Sequence, residues 1–133
     1  MKKIIFILVI ILFCYGCKKD DTENYSSSLI GNWSWFISCV GTGTGCWTPS
    51  STHTSRNLVF TSESIYGVYQ NDTLRESSIF HTYKSVSEDG MYTTYIIKYN
   101  SGSTEIFSIT HDTLSLVNSD GIMTIISRYK RIK

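Results

Sequence analysis

An all-β fold, an antiparallel eight-stranded up-and-down barrel, is predicted for most of this chain by three observations. Short runs rich in Ile, Val, Thr, Tyr and Phe recur from residue 29 to the end, while windows of about 12 residues show no convincing 3.6-residue period. Asn, Asp and Gly punctuate these runs at the spacing of tight turns, as in Asn71-Asp72, Asn100-Ser101-Gly102 and Ser119-Asp120-Gly121. Eight runs joined by short connections favour antiparallel neighbours in a meander, and such a sheet must close or be covered. A two-sheet sandwich is the rival, but its crossings usually need longer connections.

The first element precedes the barrel. Met1-Lys2-Lys3 is a positive start and residues 4–13 are ten consecutive apolar residues, the build of a secretory signal peptide. The run falls well short of the roughly 20 residues of a membrane-spanning helix. Cys14-Tyr15-Gly16-Cys17 resembles the lipobox of bacterial lipoproteins, in which a small residue precedes the cysteine that is acylated and becomes the new N-terminus. Gly16 and Cys17 match that pattern, whereas Cys14 and Tyr15 stand where an aliphatic and a small residue are usual. The resemblance implies cleavage of 1–16, palmitate-type acylation of Cys17 and stable membrane attachment, for which two acyl chains suffice. Lys18-Lys19-Asp20-Asp21 resembles the signal that sends some lipoproteins of Gram-negative bacteria to the outer face of the outer membrane. The expected location is therefore the outer membrane, with the cell surface and the periplasmic face both open. Residues 17–28 then read as lipidated cysteine and flexible tether, and 29–133 as the barrel domain.

Removing 1–16 leaves 117 of the 133 residues, one domain's worth and enough to bury a core. Ten basic residues then face 11 acidic ones, a formal charge of −1 that offers no electrostatic footprint for nucleic acid. Cys39 and Cys46 remain as an even pair in an oxidising compartment, and a bond between them would close the Gly-rich segment 39–46. Two cysteines at this spacing could also contribute to a metal site, with His53 as the one nearby partner.

Along the barrel, 29–39 is the first strand, with Leu29, Gly31, Trp33, Trp35 and Ile37 on one face. Residues 56–61 align Leu58 and Phe60, and 64–70 carry Tyr66 and Tyr69. The Asn71-Asp72 turn leads into 73–84, anchored by Ile79, Phe80 and Tyr83. Met91, Tyr95, Ile97 and Tyr99 share a face of 91–99. Strands 104–110, 113–118 and 122–132 complete the eight.

Leu29-Ile30-Gly31-Asn32-Trp33, a Gly-x-Trp on the first strand, looks like the opening motif of lipocalins, and Tyr129-Lys130-Arg131-Ile132 adds to the likeness. With Leu58-x-Phe60, Tyr66, Tyr69 and Asp120-Gly121, the chain resembles the small lipocalin-like lipoproteins of Gram-negative bacteria over nearly its whole mature length. That resemblance implies that Trp33 packs at the closed end of the barrel against a basic residue of the last strand, Arg131 before Arg128. Gly31 belongs to the same closure. No Thr-Asp-Tyr motif is present, which argues against a roomy cavity.

The expected function is binding of a small hydrophobic or amphipathic ligand in the cell envelope, with Trp35, Tyr66, Tyr69, Phe80, Tyr83 and Tyr95 as candidate lining. The alternative is a non-enzymatic envelope interaction or structural module whose barrel is filled. An enzyme is not expected: His53, His81 and His111 sit in separate segments without a nucleophile or carboxylate at a telling spacing. No cofactor motif and no metal-ligand cluster are read from the chain.

Overall fold

A computed structural model describes residues 21–41, 43, 45–119 and 123–133. The expected signal segment, Cys17 and the Asp120-Gly121 turn lie outside the described residues. Helix α1 (Asp21–Leu29) leads into β1 (Gly31–Val40), followed by the two-residue strand β2 (Cys46–Trp47) and the single helical turn α2 (Pro49–Thr52). Seven strands complete the chain: β3 (Arg56–Phe60), β4 (Ile65–Gln70), β5 (Thr73–Val86), β6 (Thr93–Tyr99), β7 (Thr104–Thr110), β8 (Thr113–Ser119) and β9 (Thr124–Ile132).

Each strand from β3 to β9 pairs antiparallel with the next, β3 pairs with β1, and β9 returns to β1, closing an eight-stranded antiparallel barrel. The expected fold class is thus the one the chain adopts. The closing seam runs from Asn32 opposite Ile132 to Val40 opposite Ile125. β2 is extra to the barrel: it pairs with β1 at Ser38 and Cys39, on the edge that β3 occupies lower down. The Asn71-Asp72 turn has both residues at positive φ, 48° and 61°, the geometry a two-residue hairpin connection requires.

Alternation along the strands sends Trp33, Leu58, Phe60, Phe80, Ile97, Phe107, Leu114 and Tyr129 inward, each almost wholly buried. Aromatic rings fill the middle of the barrel. Phe60 meets Phe80 edge-on at 5.1 Å and Tyr66 at 5.0 Å, and Tyr66 leans on Tyr99 at 4.7 Å between centroids. A register shift between Trp35 and Ile37 interrupts the alternation of β1. Phe36 is exposed as a result, Ser38 turns inward, and Ile37 leaves the face it was expected to share with Trp33.

Residues 21–28, expected within a flexible tether, form most of α1 instead. Three serines in Asp21–Leu29 make a poor helix, so its stability comes from docking. Tyr25 and Leu29 lie four residues apart on one helix face. Tyr25 stacks on Tyr95 at 3.5 Å, and Leu29 is fully buried at the end of the barrel. The same helix places its last carbonyls over the barrel closure. Arg131 donates from Nη1 to the Ile30 carbonyl at 2.9 Å and from Nη2 to the Ser28 carbonyl at 2.6 Å. A guanidinium there satisfies acceptors that a helix C-terminus leaves open and complements its dipole.

Candidate functional site

The barrel has two unlike ends. At the α1 end Trp33 is buried, donates from Nε1 to the Leu29 carbonyl at 2.8 Å, and lies beneath Arg131, whose guanidinium carbon is 4.1 Å from the ring centroid. Trp33 and Arg131 are direct register partners across β1 and β9. Gly31 completes the closure: a Cβ there would stand 2.8 Å from Arg131 Nη1, and its φ of 138° is one that side-chain-bearing residues rarely adopt. Trp33 itself is fully buried here, and a cleft of about 370 Å³ lies outside it, between Tyr25 and β6 and β7.

The opposite end holds a pocket of about 460 Å³. Its apolar lining is Trp35, Trp47 and Val68, and its charged lining is Arg56, Arg75 and Glu76. The residues arrive there for separate local reasons. Arg56 is in phase with the inward Leu58 and Phe60, and it pairs with Gln70, a further lining residue, across β3 and β4. Glu76 pairs with the inward Val68, and the register shift between Val68 and Tyr69 sets Arg75 beside it. Trp47 is carried on β2 opposite Ser38, held by the Cys39–Cys46 disulfide, whose Cα atoms are 4.1 Å apart. That bond is the disulfide expected from the cysteine pair.

The rim is braced by hydrogen bonds. α2 begins with a capping box in which Ser51 N–H bonds Thr48 Oγ1 and Thr48 N–H bonds Ser51 Oγ. Ser55 N–H donates to Asn71 Oδ1 at 2.9 Å, and Asn71 N–H donates to the Ser55 carbonyl at 3.0 Å. The loop after β2 is thereby tied to the β4–β5 turn.

Polar groups continue from the pocket into the barrel. Trp35 Nε1 donates to Ser38 Oγ at 2.9 Å, and Ser38 shares a 2.7 Å hydrogen bond with Ser127. Tyr99 donates its hydroxyl to Glu105 at 2.7 Å. Burial works against the charge of Arg56, but the nearby Tyr129, Tyr66 and Glu105 oxygens outweigh it and hold the guanidinium above its ordinary value. Burial raises the phenols of Tyr66 and Tyr99, with the Glu105 charge adding to it, and pushes Tyr129 up to about 12. These phenols remain neutral donors in the normal pH range.

Of the six aromatic residues expected to line a ligand site, Trp35 alone lines this pocket. Tyr66 and Phe80 belong to the packed core beneath it, and Tyr95 lies under Tyr25 at the closed end. Tyr69 is next to the inward Val68 and lines an outer-surface groove, and Tyr83 is exposed on the outer face of β5. Alternation accounts for both. Trp47, Arg56, Arg75 and Glu76 were not singled out from the sequence; of these only Arg56, two residues before Leu58, had a readable period. His53 caps α2 in a left-handed conformation, His111 occupies the β7–β8 turn, and His81 is exposed on β5, so the three histidines remain apart. No group of three or more His, Cys, Asp or Glu side chains that could hold a metal ion occurs among the described residues.

Comparison with protein families, with characterised proteins and with solved structures finds no match for this chain.

Proposed function

We propose that the protein is a lipocalin-like lipoprotein of a Gram-negative outer membrane that binds a small amphipathic ligand in the mouth of its barrel. The observation that carries this reading is the 460 Å³ pocket at one end of the barrel, above a core of packed aromatic rings, where two indoles meet a few convergent polar groups. Trp33 and Arg131 pack against each other at the other end, so in this reading the ligand enters and leaves by the mouth. Cys17 supplies the membrane attachment in this reading, and the domain itself acts as a carrier or receptor with no chemistry of its own. Native mass spectrometry of the full protein taken from the envelope tests it: a bound small molecule, lost in a Trp47→Ala variant, is the expected result. Recovery of ligand-free protein under conditions that preserve weak complexes would count against it.

A second reading, an envelope interaction module, is favoured by one observation. Tyr83, Ile96, Ile106, Val117 and Ile126 are successive cross-strand partners on the outer face of β5 to β9 and form a continuous apolar row. Tyr83 and Ile106 expose 42% and 46% of their surface, so the row is open to a partner.

A further inference from the structure

The charge of the mouth pocket narrows what it can hold. Two guanidiniums, Arg56 and Arg75, and one carboxylate, Glu76, line it, a balance of one positive charge. Such a lining attracts anions, and Arg presents planar donor pairs suited to a carboxylate or a similar oxyanion. Glu76 works against a second negative charge on the ligand, because like charges brought together in a partly desolvated cleft repel. The remaining walls are flat. Trp35 is buried and its Nε1–H is already used by Ser38, so it offers a ring face rather than a donor. Trp47 is half-buried on β2, the strand paired with the one that carries Trp35, and packs against the core cluster. Arg56 stands at the head of β3, opposite Gln70 of β4 and in phase with the buried Leu58 and Phe60, so its base is set by the barrel wall.

We infer that the mouth pocket selects organic monoanions with a flat apolar body, the body lying against Trp35 and Trp47 and the anionic group facing Arg56 and Arg75. This inference rests on the ligand-binding reading above and gives it a chemical class. It differs from binding of a neutral hydrophobic compound, for which three charged residues around the mouth would be a desolvation cost without a return.

The test uses an isosteric pair of probes, 2-naphthoate and 2-naphthamide, with the full protein in lipid nanodiscs and empty nanodiscs subtracted. Equilibrium dialysis is expected to give at least tenfold tighter binding of the naphthoate. Arg75→Gln, an exposed position whose replacement leaves the core untouched, is expected to reduce that preference to less than threefold. Arg56→Gln is expected to do the same, and Glu76→Gln to admit 2,6-naphthalenedicarboxylate, which the parent protein excludes. Equal affinity for the two probes, both lost in Trp47→Ala, overturns the anion preference and leaves the pocket reading standing. Binding of neither probe overturns the inference, and the reading beneath it is then judged by the co-purification experiment. A naphthoate preference that survives in both arginine variants also overturns it.

Discussion

Trp33 and Arg131 face each other across the seam that closes the barrel, and their contact joins three parts of the chain: the first strand, the last strand and the helix before them. The indole fills the closed end, the guanidinium covers it, and the remaining guanidinium donors hold the Ser28 and Ile30 carbonyls. Removing either residue therefore affects the other. Trp33→Ala is expected to cost about 3 to 5 kcal/mol as a large-to-small core change. Arg131→Ala is expected to cost about 1 to 2 kcal/mol through the lost cation-π contact and packing. In a double-mutant cycle read by urea denaturation, a coupling of at least about 0.5 kcal/mol is expected. Additive losses would show that the contact contributes nothing of its own.

Gly31 should be intolerant of the smallest side chain. Alanine would hold a φ of 138° against its preference and push its Cβ into Arg131 Nη1. A loss of about 1 to 3 kcal/mol is expected for Gly31→Ala, the range for a residue forced into a disfavoured backbone region. Adding Arg131→Ala should relieve the clash and leave the backbone cost, so the pair should lose less than the sum. Wild-type stability of Gly31→Ala, measured by thermal denaturation, would remove Gly31 from the closure.

How far this structure is legible in the sequence depends on where the period of two survives. It survives in Leu58 and Phe60, in Tyr95, Ile97 and Tyr99, and in Trp33 and Trp35, so the inward faces of those strands could be read directly. It fails at Phe36, where one inserted residue moves Ile37 out and Ser38 in, because a bulge leaves no mark on composition. α1 was hidden for a different reason: Asp21–Leu29 has the composition of a tether, and only the packing of Tyr25 and Leu29 against the barrel makes it helical. The mouth pocket was the least legible part. Trp47 reaches it on a two-residue strand that no periodicity can reveal, and Arg75 reaches it through a second bulge. Aromatic content drew attention to Tyr69 and Tyr83, whose rings are on the outside.

The Cys39–Cys46 bond should matter more to the pocket than to the fold. The segment it closes is short, for which the chain-entropy account gives about 2 to 3 kcal/mol. Reduction should thus lower the denaturation midpoint without unfolding the barrel, whose closing seam is backbone-paired from Asn32 to Val40 and does not depend on the bond at Cys39. Trp47, next to Cys46, should become mobile, and naphthoate binding should weaken severalfold in the Cys39→Ala, Cys46→Ala double variant. Alkylation of denatured, unreduced protein should find no free thiol at either position. Two modified cysteines in protein drawn from the envelope would contradict the bond.

Attachment through Cys17 predicts a simple pair of variants. Under that proposal Cys17→Ser should abolish labelling by a clickable palmitate analogue and release the protein from membranes, because stable attachment rests on the acyl chains. Among the described residues no helix is long and apolar enough to cross a membrane. Cys14→Ser should change neither labelling nor fractionation. Labelling retained in Cys17→Ser would sink the assignment.

Alkaline pH should unfold the protein through its buried phenols. Burial holds Tyr66, Tyr99 and Tyr129 above the ordinary tyrosine value, Glu105 adds to this, and Arg56 partly offsets it at Tyr66 and Tyr129. An unfolded tyrosine ionises near about pH 10. Below that pH the three groups are neutral in both states, and their contribution to stability is complete and flat. Above it the unfolded chain gives up protons that the native barrel retains. Fewer protons are then bound in the unfolded state than in the native state, so stability falls as pH rises. The decline should begin near pH 10 and continue through the Tyr129 value of about 12. Thermal midpoints recorded across this window, together with tyrosinate absorbance, should show a group of phenols that ionise only as the barrel opens. Replacing Tyr66, Tyr99 and Tyr129 together by Phe should flatten the slope even though it removes the Glu105 hydrogen bond and lowers stability at neutral pH. An unchanged slope in that triple variant would place the alkaline sensitivity elsewhere in the protein.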